Sequence, residues 1–151
     1  MLSLNQNDFD TNCHTKTLTV LSNKKIGLTI TLFVGYTMLI ILSMHLIQQD
    51  KNPTFNAISE YVTGRYGGLM TSTFFAQTIA SISVGILAFR LRPKSNKARI
   101  AGVLFILAGL GDVLAGLFQT DPTFQTNFTT TGAIHMAGGL TRFVSLAVAL
   151  P

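Results

Sequence analysis

Residues 26–49 and residues 66–89 carry no Asp, Glu, Lys or Arg. Nothing else in the chain limits its fold as strongly. A charge-free apolar run of about 18 residues or more is long enough to cross the roughly 30 Å hydrocarbon layer of a bilayer as a helix. In lipid every backbone N–H and C=O must find a partner inside the structure, which restricts spanning segments to helices and closed barrels. Barrel strands alternate in hydrophobicity over about ten residues, and these runs do not. The pattern predicts four spans, at residues 26–47, 68–91, 100–118 and 132–150. The expected class is all-α, a polytopic transmembrane helix bundle. Residues 1–25 are polar and read as a cytoplasmic tail outside the bundle.

The composition agrees with a membrane setting. Of the 151 residues 48% are hydrophobic and 11% charged, against roughly 25% charged in soluble domains. The net charge of +5 does not argue for nucleic acid. The basic residues flank apolar spans and are not interleaved with aromatics in a patch. The one cysteine, Cys13, forms no internal disulfide and belongs to no metal or redox motif.

Basic residues also orient the spans. Arg90, Arg92, Lys94, Lys97 and Arg99 crowd between spans two and three, and no acid lies among them. Lys16, Lys24 and Lys25 precede span one. The loop after span one sets Lys51 and Arg65 against Asp50 and Glu60, and the loop after span three has no basic residue. Cytoplasmic loops carry the Lys/Arg excess. The N-terminus and the basic loop are therefore expected inside, and the first and third loops outside. The expected location is a cell membrane, the plasma or inner membrane of a bacterium.

Small and polar residues mark the helix contacts. Span three repeats Ala101-Gly102, Ala108-Gly109 and Ala115-Gly116 at seven-residue intervals, which suits close backbone approach in lipid. Asp112 is four residues from both Ala108 and Gly116 and is expected on the same face. In span four, His135, Gly138, Gly139 and Arg142 share a face. At 1.5 Å rise per residue, Asp112 and Arg142 lie roughly 9 and 15 Å below the outer ends of their spans. Spans three and four are expected to pack antiparallel through glycines, with Asp112 and Arg142 paired. Thr73, Gln77, Ser81 and Gly85 form a polar seam on span two, and Gly35, Met38, Leu42 and His45 a stripe on span one.

This topology collects His45, Ser59, Glu60, Asp121 and His135 at the outer face, with Asp112 just below. Histidines and carboxylates together can hold a divalent metal or exchange protons near neutral pH. No HExxH or similar spacing is present, so no cofactor is called for by motif. The bland alternative is a set of interfacial residues that cap helices: Asn56 or Ser59 for a short helix bearing Tyr61, with Tyr61 and Tyr66 at headgroup level, and Asp121-Pro122 for a turn.

The segments NAISEYVTGRYG (residues 56–67) and FQTDPTFQTNFTTTGAIH (residues 118–135) resemble family 998 of the domains of unknown function, prokaryotic integral membrane proteins. The matching positions are Ile58, Ser59, Glu60 and Tyr61, then Asp121 and Pro122, then Gly132 and His135. The resemblance implies a six-span bundle. With four spans and no polar flank beyond the fourth, the chain is expected to be the truncated form of such a bundle. The family carries no established activity.

Three functions compete. The first is a non-enzymatic multi-span membrane protein whose partners are the lipid bilayer, other helices or a second copy of the chain. The second is a membrane-embedded, metal-dependent hydrolase or other enzyme using the outer-face histidines and acids. The third is a small transporter with Asp112 and Arg142 on its path.

Overall fold

The computed structural model describes residues 6–123 and 125–150, with side chains from residue 19 onward. Cys13 and Lys16 fall where no side chain is described, and Phe124 and Pro151 lie outside the described residues. Four helices follow in order: α1 (Gln6–Ile47), α2 (Gly67–Leu91), α3 (Asn96–Leu117) and α4 (Thr130–Ala149). A 3-10 turn, Ile58–Thr63, lies between α1 and α2. Among the described residues there is no strand. Each helix is long and apolar enough to cross a membrane, with the apolar part of α1 running over Thr19–Ile47. The protein is an all-helical membrane protein.

The helix ends differ from the sequence reading by more than two residues in two places. The polar segment read as a tail is helical from Gln6 and continuous with α1. Residues 6–26 contain neither Gly nor Pro, so nothing there interrupts a helix. At α3, Ser95 is the N-cap and its Oγ accepts the Ala98 N–H at 3.3 Å. The helix therefore starts four residues before the predicted span, and Lys97 and Arg99 lie on its first turn.

The helices form an antiparallel row in chain order. The α1–α2 register is set by Tyr36 Oη with Ser72 Oγ (2.6 Å) and by Arg90 donating to Ser22 Oγ (2.8 Å). Between α2 and α3, Gly85 faces Gly102, Thr78 and Ile82 face Gly109, and Phe74 and Phe75 face Gly116. Between α3 and α4, Gly111 faces Gly138. Each helix packs chiefly on its sequence neighbour, and α1 and α4 stand at opposite ends of the row.

These contacts redistribute the small residues. The repeat Gly102, Gly109 and Gly116 serves the α2 interface, where Thr78 Oγ1 also donates to the Gly109 carbonyl at 3.1 Å. The α4 interface uses Gly111, Asp112 and Ala115, so Asp112 shares a face with an alanine of the repeat while the glycines of the repeat face α2. The physical reason is rotation: adjacent residues of a 3.6-residue helix point about 100° apart, so neighbouring positions of α3 serve different partners. On α1 the inward residues are Thr37, Ile40 and Met44, and Gln48 just beyond its end is buried with them. Met38 and Leu42 of the predicted stripe point outward, and Gly35 has nothing within 4 Å of a built Cβ.

Candidate functional site

The antiparallel order puts the α1–α2 and α3–α4 loops at one end of the row and the basic α2–α3 turn at the other. At the two-loop end, Glu60 is the centre of a small network. It is 1% exposed. Its Oε1 accepts the Ala57 N–H at 3.0 Å, and its Oε2 accepts from Asn56 Nδ2 at 3.0 Å. The Thr123 hydroxyl donates to Oε1 across to the α3–α4 loop. Burial alone would raise the carboxyl's pKa, but the donors from Thr123, Ala57 and Asn56 outweigh it and hold Glu60 below the ordinary value of 4.5. Glu60 is thus a carboxylate that ties two loops together.

The residue after it packs inward. Tyr61 is fully buried with Met44, Met70 and Ile40, and its ring lies 5.2 Å from that of His45. Burial, with the charge of Asp50, pushes the Tyr61 phenol above its ordinary value. Tyr61 is thus a packed interior residue, while Tyr66 is exposed under the Arg65 guanidinium. Neither Asn56 nor Ser59 caps the 3-10 turn: Ala57 occupies the N-cap, and Glu60 reaches back to its N–H. Ser59 is half-buried. Gln48 Nε2 donates to the Tyr61 carbonyl at 3.2 Å and closes the turn onto the end of α1.

The α3–α4 junction uses the other half of the recognised motifs. Asp121 accepts from the Thr129 N–H (2.8 Å) and Oγ1 (2.7 Å). Thr129 is the N-cap of α4, and its Oγ1 accepts the Gly132 N–H at 3.0 Å. A Cβ on Gly132 would collide with the Asp121 carboxylate. Glycine at this position lets a negative charge sit against the helix N-terminus, where the macrodipole favours it. One turn on, His135 is 7% exposed. Its Nδ1 lies 2.8 Å from the Ala115 carbonyl and 2.9 Å from that of Phe118. Both are acceptors left over at the C-terminus of α3, so Nδ1 carries the proton and caps that helix from its neighbour. Phe74 of α2 meets the ring edge-on at 5.6 Å.

Deeper in the span, Arg142 forms an ion pair with Asp112 Oδ2 through its Nη1. Asp112 is 1% exposed, while the Arg142 side chain keeps 20% of its surface. The Oδ1 of Asp112 is buried without a hydrogen-bond partner. A lone charge at mid-membrane costs about 2.5–3.5 kcal/mol on insertion scales, which pairing offsets.

These side chains do not converge. His45 bonds its own helix at Ile41 O (2.7 Å), Glu60 the α3–α4 loop, Asp121 the start of α4, and His135 the end of α3. Among the described residues no three His, Cys, Asp or Glu side chains gather as a metal ion requires. The partners Thr123, Thr129 and Gln48 are absent from the sequence-predicted set, because single hydroxyl and amide side chains in loops carry no periodic signal.

Fold and site together define a polytopic helical membrane protein whose ionisable loop residues serve helix junctions. Residues 31–150 match the family described as Protein of unknown function (DUF998), and the chain belongs to that family. No curated protein and no solved structure matches it.

Proposed function

We propose that this chain is a non-enzymatic integral protein of a bacterial plasma or inner membrane, with its N-terminus in the cytoplasm. In this reading His45, Glu60, Asp121 and His135 form an outer-face latch that orders the helix row. The observation that carries it is the set of bonds each ionisable group already makes: Glu60 to Thr123, Asp121 to Thr129, and His135 to two α3 carbonyls. The clustering of Arg90, Arg92, Lys94, Lys97 and Arg99 at the opposite end supports the orientation.

Single cysteines at Ser95 and Gln125, in a Cys13→Ser background, test the orientation. A membrane-impermeant maleimide on intact cells should label Gln125→Cys and spare Ser95→Cys until lysis. The reverse pattern overturns it. Treatment of the purified protein with EDTA should leave the melting temperature unchanged, whereas a drop would restore the metal-enzyme reading.

Transport is a second reading, favoured by the unpartnered Oδ1 of buried Asp112 beside the partly exposed Arg142. Proteoliposomes loaded with a pH dye would show a proton flux that Asp112→Asn abolishes. A wild-type protein without such flux counts against a proton path.

A further inference from the structure

The turn between α2 and α3 forms a shallow concavity of about 440 Å³ lined by Leu91, Arg92, Pro93, Lys94 and Ser95. It combines two chemistries. Arg92 and Lys94 are exposed cations at its rim. Leu91, and Ile100 one turn into α3, are exposed aliphatic side chains beside it. Lys97 and Arg99 lie on the adjoining first turn of α3 and are also exposed. Ser95 caps that helix, whose N-terminal dipole end adds partial positive charge.

The same end of the row gathers more charge from α1. Arg90 donates to Ser22 Oγ, which draws Lys24 and Lys25 of α1, both exposed, to this end. Among the described residues the single ion pair is Asp112–Arg142, far along α3, and it involves none of the cations of this edge. Basic clusters at the ends of membrane-length helices attract anionic lipid headgroups.

We propose that the α2–α3 turn is a seat for an anionic phospholipid, with Arg92 and Lys94 holding the headgroup phosphate and the acyl chains lying along Leu91 and Ile100. The juxtaposition of cations above exposed aliphatic surface selects an amphiphile over a free anion. A water-soluble polyanion would leave Leu91 and Ile100 bare, and a zwitterionic lipid would bring a choline cation toward Lys94 and Lys97. The proposal needs the helices to span a bilayer but not a particular orientation, so it stands or falls separately from the topology above.

The test uses the full chain in an uncharged maltoside detergent. Phosphatidylglycerol, phosphatidylcholine or inorganic phosphate is added, and melting temperature and retained lipid by native mass spectrometry are read. Wild type should retain phosphatidylglycerol over phosphatidylcholine and melt higher with it, while inorganic phosphate does neither. Each basic contact contributes roughly fivefold to that preference, so Arg92→Gln/Lys94→Gln should lower it by more than tenfold. Lys51→Gln/Arg65→Gln, which removes the same two charges at the opposite end of the row, should keep the wild-type preference and controls for net charge. The proposal is overturned if the two lipids are retained equally, if the double variant keeps its selectivity, or if phosphate alone reproduces the stabilisation.

Discussion

Gly132 and His135 stand one turn apart on α4 and serve opposite needs of the same junction. Gly132 leaves room for the Asp121 carboxylate at the start of α4, and His135 caps the carbonyls at the end of α3. Gly132→Ala should lower stability by about 1–3 kcal/mol, because the new methyl displaces a hydrogen-bonded carboxylate. Chemical denaturation in detergent measures it. Glu60 gives the junction a pH dependence. Its folded pKa lies below the ordinary 4.5, so the unfolded chain takes up the proton first as pH falls. The stability it contributes is fully present above about pH 4.5 and is lost as pH drops through the lower folded value. Melting curves from about pH 6 to pH 3 should show an acid-side decline that is shallower in Glu60→Gln. The residue types of this junction are visible in the sequence, but their partners are not. Glu60 meets Thr123 across 63 positions, and nothing in the periodicity of either segment announces that contact.

At the scale of elements, the spans are legible because lipid allows so few solutions. Predicted and observed boundaries for α2 and α4 differ by at most two residues. The neighbours of each face are less legible. The seven-residue repeat on α3 announces a close contact without saying whether α2 or α4 makes it, and α2 takes it. Asp112 and Arg142 are easier, since two isolated charges on consecutive spans have little else to pair with. The α3–α4 seam makes a sharp comparison between adjacent glycines. A Cβ on Gly138 would sit 2.6 Å from the Gly111 carbonyl and 2.9 Å from the Ala115 nitrogen, whereas Gly139 has nothing within 4 Å. Gly138→Ala should destabilise by about 1–3 kcal/mol through forced separation of the helices. Gly139→Ala should be neutral or slightly stabilising, because alanine favours the helix by up to about 1 kcal/mol over glycine. Paired unfolding curves of the two variants decide it, and equal effects would mean that this seam is not as close as described.

At the scale of the whole molecule, the row has a middle and two ends. Its helices α2 and α3 are each gripped on both sides, while α1 leans on α2 and α4 on α3. The lipid-facing surface is correspondingly large, with Leu32, Leu39 and Leu42 on α1 and Leu140, Phe143 and Val148 on α4 all exposed. An arrangement stabilised mainly by nearest-neighbour interfaces has no central core whose loss unfolds everything at once. Such a molecule behaves like a zip. Drawn out of a bilayer by its C-terminus in a force spectrometer, it should release α4 first and pause with the α2–α3 hairpin in place. Its short turn and three glycine contacts make that hairpin the clasp that holds once α4 has gone.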